Sequence, residues 1–148
     1  MAIRLCLIFV QLVLLAVVAW TDLRQRRVAN RWLLLLAVAG TITAWTAGGR
    51  LDPGASLVGM AVCGLPFACI YYLSEDMGGA DVKFAAVCGW TQGAGRGLGV
   101  LLVGLLLVAV VYGSSARWRR IARSRGIPLV TWLAPIYAVA ILLCLAEF

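Results

Sequence analysis

The chain has 148 residues, of which 64% are hydrophobic and only 13% charged. A water-soluble domain of this length needs far more polar surface, so the composition excludes an ordinary soluble fold in favour of a membrane-embedded one. The formal charge of +7 does not argue for a nucleic-acid partner, because arginines gathered at the ends of apolar stretches are what the positive-inside rule produces.

The first apolar segment covers residues 3–21 and ends at Asp22, which is followed by Arg24, Arg26, Arg27 and Arg31. Its apolar run is long and no small-x-small cleavage site precedes the charges, so it reads as a retained helix rather than a signal peptide. The second segment covers residues 31–47. Gly48, Gly49, Asp52, Pro53 and Gly54 then form a turn-rich loop. The third covers residues 55–73, with Tyr71 and Tyr72 as interfacial anchors. A polar stretch follows, Ser74-Glu75-Asp76-Met77-Gly78-Gly79-Ala80-Asp81-Val82-Lys83. The fourth segment, residues 82–90, is too short to span alone, so it borrows from its flanks at residues 78–80 and 91–94 or is a half-helix. A glycine-rich stretch at residues 91–97 leads to the fifth, residues 98–112. The loop with Arg117, Arg119, Arg120, Arg123 and Arg125 precedes the sixth, which starts at Pro128.

Six crossings place ten of the thirteen Lys and Arg residues on one side, the cytoplasmic side by the positive-inside rule. The expected architecture is therefore an all-α, polytopic helical bundle of six transmembrane helices, a single domain over residues 1–148. The five-arginine loop is suited to anionic lipid headgroups. With no histidine in the chain, Ser-His-Asp and Cys-His catalysis and His-ligated metals are excluded. The five cysteines, Cys6, Cys63, Cys69, Cys88 and Cys144, lie in apolar segments without a CxxC pair. They read as small buried side chains, and no metal or cofactor is expected.

Carboxylates carry what chemistry remains. Asp22 and Asp81 stand at the cytoplasmic ends of apolar segments, in loops on the same face. Each also has a structural reading: Asp22 as partner of its arginines, Asp81 as the N-cap of the fourth segment. Glu75 and Asp76 read as solvated loop charges whose sign suits a basic ligand. Asp52 reads as part of an external turn. Two adjacent carboxylates that share one proton form a peptidase centre: the ionised one takes a proton from water, and the protonated one donates to the scissile carbonyl.

Two blocks resemble the type IV prepilin peptidase family. Thr21-Asp22-Leu23-Arg24-Gln25-Arg26-Arg27-Val28-Ala29-Asn30 is similar to the family's first block, an aspartate at a helix end followed by basic residues and a Pro-Asn pair, with Ala29 in the place of Pro. Met77-Gly78-Gly79-Ala80-Asp81-Val82-Lys83 is similar to the second, GxGD with a lysine two residues on, with Ala80 in the place of the second glycine. Arg125-Gly126-Ile127-Pro128 and Ala134-Pro135 resemble the start of the family's last helix. The resemblance implies that Asp22 and Asp81 are the catalytic pair, with Gly78, Gly79, Ala80, Lys83 and Asn30 as supporting motif residues. It implies the short class of Flp-type, tight-adherence pilus systems, which lacks the cysteine-bearing segment linked to N-methylation. Such an enzyme sits in the bacterial cytoplasmic (inner) membrane with its active site at the cytoplasmic face. Its partners are prepilins or pseudopilins, whose basic leader it removes, in pilus assembly or protein secretion. Other readings stay open on the sequence: a small transporter that uses Asp22 and Asp81 as an ion site, a non-catalytic membrane assembly factor, and a signal-peptide-peptidase-type GxGD enzyme, against which the short chain and the motif's place at a helix end argue.

Overall fold

The computed structural model describes residues 2–25, 28–46, 52–73, 78–114 and 127–146. Five helices account for nearly all of them: α1 (Ala2–Gln25), α2 (Asn30–Thr46), α3 (Pro53–Leu73), α4 (Gly79–Ser114) and α5 (Leu129–Ala146). Three are long and apolar enough to cross a membrane, namely Ile3–Gln25, Pro53–Leu73 and Gly79–Ser114, and α2 and α5 are shorter and apolar. Only helices with every backbone group paired internally suit such composition in a bilayer. The threonines of α2 obey the same demand: Thr41 and Thr43 donate to the carbonyls of Ala37 and Ala39, both at 2.8 Å.

Helix starts follow local chemistry. Asp52 caps α3, its carbonyl accepting from the Ser56 amide at 3.0 Å, and Pro53 occupies the first helical position, where no N–H is needed. This matches the structural role expected of Asp52. α4 is capped by Gly78, whose carbonyl accepts from the Asp81 amide at 3.0 Å.

Two segments are expected here, a short fourth one that borrows from its flanks and a fifth beyond the glycine-rich stretch 91–97. α4 does divide into two helical arms, and the break between them is the single residue Gly93, with φ 75° and ψ 174°, rather than the whole stretch. Only glycine takes that backbone without strain. The break is sharp: a methyl placed on Gly97 would stand 3.0 Å from the Gly89 Cα, whereas eight residues of straight helix span about 12 Å. The two arms, residues 79–92 and 94–114, therefore fold back beside each other. The glycines sustain close packing rather than a loop. A Cβ on Gly89 would collide with the Gly59 carbonyl of α3, and one on Gly59 with the Gly89 carbonyl. Small residues that let backbones touch are how membrane helices associate without a hydrophobic driving force between them.

Helices α1, α2, α4 and α5 form a ring, each packed on two others of the ring, and α3 packs from outside it on α4 alone among the described residues. The ring encloses the core: Leu15, Val18, Leu36, Phe84, Leu133 and Tyr137 are almost wholly buried. Outward faces carry Phe9, Leu34, Leu65, Leu106 and Leu143, all exposed as lipid-facing residues should be. Two polar contacts fix the register of α2 against the first arm of α4. Lys83 Nζ donates to Asn30 Oδ1 at 2.8 Å at one end, and Trp90 Nε1 donates to Thr41 Oγ1 at 2.8 Å at the other. Deeper in the ring, the Thr91 and Tyr137 hydroxyls share a hydrogen bond, with Gln11 buried nearby.

Candidate active site

One end of the ring gathers four helix termini: the last turn of α1 and the first turns of α2, α4 and α5. Asp22 lies in the last turn of α1, and Asp81 is the third residue of α4. Both are buried, 5% and 8% exposed, although their positions at helix ends would let either reach water. Burial of two carboxyl groups is costly unless something compensates them.

The compensation comes chiefly from backbone dipoles. Asp81 accepts from the amides of Gly78 and Val130 and feels the charge of Asp22. Its bond to Gly78 is half of a capping box, in which the third helical residue reaches back to the cap. A side chain at position 78 would crowd it, since a Cβ there would lie 3.2 Å from Asp81 Oδ2. Asp22 Oδ2 accepts from the Thr131 amide and from Thr131 Oγ1, each at 3.1 Å. Thr131 Oγ1 also reaches the Ala19 carbonyl at 3.2 Å.

Val130 and Thr131 are the second and third residues of α5, whose cap position is Pro128. Early amides of a helix have no partner within it, and proline offers no capping side chain. Asp22 and Asp81 fill that role from two other helices, each at the positive end of the α5 dipole. The carboxylates thus meet over one helix terminus.

The expected site residues are mostly brought together. Gly78, Gly79 and Ala80 form the start of α4 beside Asp81. Ala80 has an ordinary helical backbone, since Gly93 is the one non-helical residue inside α4. Alanine in place of the family's second glycine therefore meets no conformational obstacle. Asn30 and Lys83 bond each other at the rim. The guanidinium groups of Arg24 and Arg31 lie over the rings of Trp20 and Trp32, at 4.7 and 5.3 Å. Glu75, Asp76, Arg26, Arg27 and the five arginines between positions 117 and 125 lie outside the described residues. No group of three or more metal-ligating side chains occurs among the described residues. Thr131 and the Val130 amide were not anticipated. The available signal was Pro128 ahead of an apolar run, which announces a helix start whose amides need acceptors from elsewhere.

The family model of the type IV leader peptidases matches residues 9–113. The chain belongs to the type IV leader peptidase family. No curated protein and no solved structure gives a match. As a leader peptidase, the chain is a membrane-embedded protease, and both Asp22 and Asp81 fall inside the matched stretch. The first turn of α5, which receives both carboxylates, lies beyond it.

Proposed function

We propose that this leader peptidase is an aspartic endopeptidase that removes the basic leader from Flp-like type IV prepilins or pseudopilins, with Asp22 and Asp81 as its catalytic pair. One observation carries the reading: two buried carboxylates from different helices act on each other's charge and are held by a single helix terminus. Like charges so placed are best accommodated by one proton between them. The ionised member then takes a proton from a water poised at the pair. The other donates to the carbonyl oxygen of the scissile peptide as negative charge develops there. The hydroxide so formed attacks the carbonyl carbon and gives a tetrahedral diol; as the C–N bond breaks, the pair protonates the departing amine and takes back one proton from the diol, which restores its starting state. The pair titrates as a unit and its proton belongs to neither residue alone.

In this reading α4 contributes two crossings, one for each arm, which gives six with α1, α2, α3 and α5. The pair then lies at the cytoplasmic edge of the bacterial inner membrane, beside Arg24, Arg31 and Lys83. A substrate whose leader is basic and whose mature part begins with an apolar helix would present its junction at that depth. Location at one membrane edge also favours hydrolysis over ion transport, for which midplane sites are the rule.

The test is co-expression with a Flp-type prepilin in a host without prepilin peptidases, read by prepilin mass. Leader loss with wild type, and none with Asp22→Asn or Asp81→Asn inserted at equal levels, is the expected result. Undiminished processing by either variant would end the assignment.

A further inference from the structure

The family match ends at residue 113, yet the carboxylates are held by residues 130 and 131. Asp22 and Thr131 are 109 positions apart in sequence, and two donors of Thr131 converge on one carboxylate oxygen. An aspartate in the last turn of a helix has two free side-chain torsions and a short path to water. The Thr131 amide and hydroxyl hold Asp22 inward by occupying Oδ2 from the neighbouring helix, while the adjacent Val130 amide occupies Asp81.

We propose that Thr131 is a positioning residue of the leader peptidase, whose hydroxyl fixes the Asp22 carboxylate in the orientation that faces Asp81. The inference rests on the reading of Asp22 and Asp81 as the working pair. The amide sets where Oδ2 lies, and the hydroxyl, displaced from it by the length of the threonine side chain, adds a second fixed direction to the same oxygen. The single hydroxyl hydrogen is shared between Asp22 Oδ2 and the Ala19 carbonyl, at 3.1 and 3.2 Å, and both acceptors lie on the helix that carries Asp22. α5 thereby acts as a bracket that ties the two carboxylates to one rigid turn. Small errors in the orientation of a reacting group are expensive in rate, so loss of the bracket should appear in turnover rather than in substrate binding.

Thr131→Val separates this role from a merely structural one. It keeps the volume, the β-branch and the backbone amide, and removes only the hydroxyl. Thr131→Ser restores the hydroxyl on a smaller side chain. With purified protein in detergent and a prepilin substrate, Thr131→Val should lower kcat about tenfold, the effect of one lost hydrogen bond to a charged group. KM should stay within about twofold, and Thr131→Ser should recover most of the wild-type kcat. Unchanged kcat in Thr131→Val, or equal loss in both variants, would overturn the proposal.

A second measurement is independent of turnover. Infrared spectra of protein carrying aspartate labelled at the side-chain carboxyl carbon, compared with an Asp22→Asn reference, isolate the Asp22 band. That band should move in Thr131→Val and return in Thr131→Ser, and a band that does not move would refute the contact. If wild type cleaves no prepilin, the aspartic-peptidase reading fails, while the spectra still decide whether Thr131 holds Asp22.

Discussion

The first arm of α4 carries a buried carboxylate, Asp81, in its first turn and runs up to the break at Gly93, among residues that have no side chain. At the Asp81 end, position is set by two donors, the Gly78 amide and the Val130 amide, which act against the repelling charge of Asp22. At the Gly93 end, position is set by the absence of atoms, with Gly59 and Gly89 in backbone contact and Gly97 against Cys63 and Gly89. One end tolerates no change in chemistry and the other no change in volume. The two are joined by about three turns of helix, so the glycine end determines the direction along which Asp81 is aimed.

Substitutions can break this comparison from either side. The largest effect is expected at the carboxylates. Asp81→Asn and Asp22→Asn should each lower cleavage by about 10²–10⁴-fold, with the melting temperature in detergent nearly unchanged, because the amide keeps the size of the group. A large drop in melting temperature would mean that the pair holds the bundle together rather than performing chemistry. Gly89→Val should do the reverse. Its Cβ has no room against the Gly59 carbonyl, and forced backbone separation of this kind costs about 3 kcal/mol. The variant should lose thermal stability first and activity only as a consequence. Wild-type stability in Gly89→Val would show that the α3–α4 contact is looser than the glycines imply.

The rim pair sharpens the comparison on a smaller scale. Lys83 and Asn30 are exposed and share one hydrogen bond at 2.8 Å, an interaction worth roughly 0.2–1 kcal/mol. Lys83→Met and Asn30→Ala should each reduce cleavage a few-fold, and the double variant should do little more, since both remove the same bond. Fully additive losses would assign the two residues separate roles, such as contact with the substrate backbone by one of them.

The same contrast explains what could be read in advance. Apolar runs and arginine placement were enough for an all-helical membrane protein, because a bilayer imposes length and charge rules on every segment. Asp22 and Asp81 stood out because ionisable groups are rare at such edges, and the structure brings them to one helix terminus. The Lys83–Asn30 contact joins two residues that only the motifs had linked. The sharpness of the break at Gly93 was not legible, because glycines signal a loop and close packing with the same letter, and only the partner backbone of Gly59 tells them apart. Thr131 was missed for a related reason. Its importance comes from a contact across 109 residues, and neither hydropathy nor local spacing records which helix terminus a carboxylate will cap.

The smallest effect is expected at Ala80, where the chain departs from the GxGD pattern. If the family's second glycine served a left-handed backbone, Ala80→Gly would relieve strain and raise stability. Ala80 is instead the second residue of α4 and has helical torsions. Glycine there only adds conformational freedom to the unfolded chain and should cost about 0.5–1 kcal/mol. A melting temperature slightly lower, with leader cleavage at the wild-type rate, is therefore expected for Ala80→Gly. A gain in stability would show that position 80 is strained after all. A gain in activity at lower stability would carry a different meaning: that the first turn of α4 must open for substrate, and that alanine holds it shut.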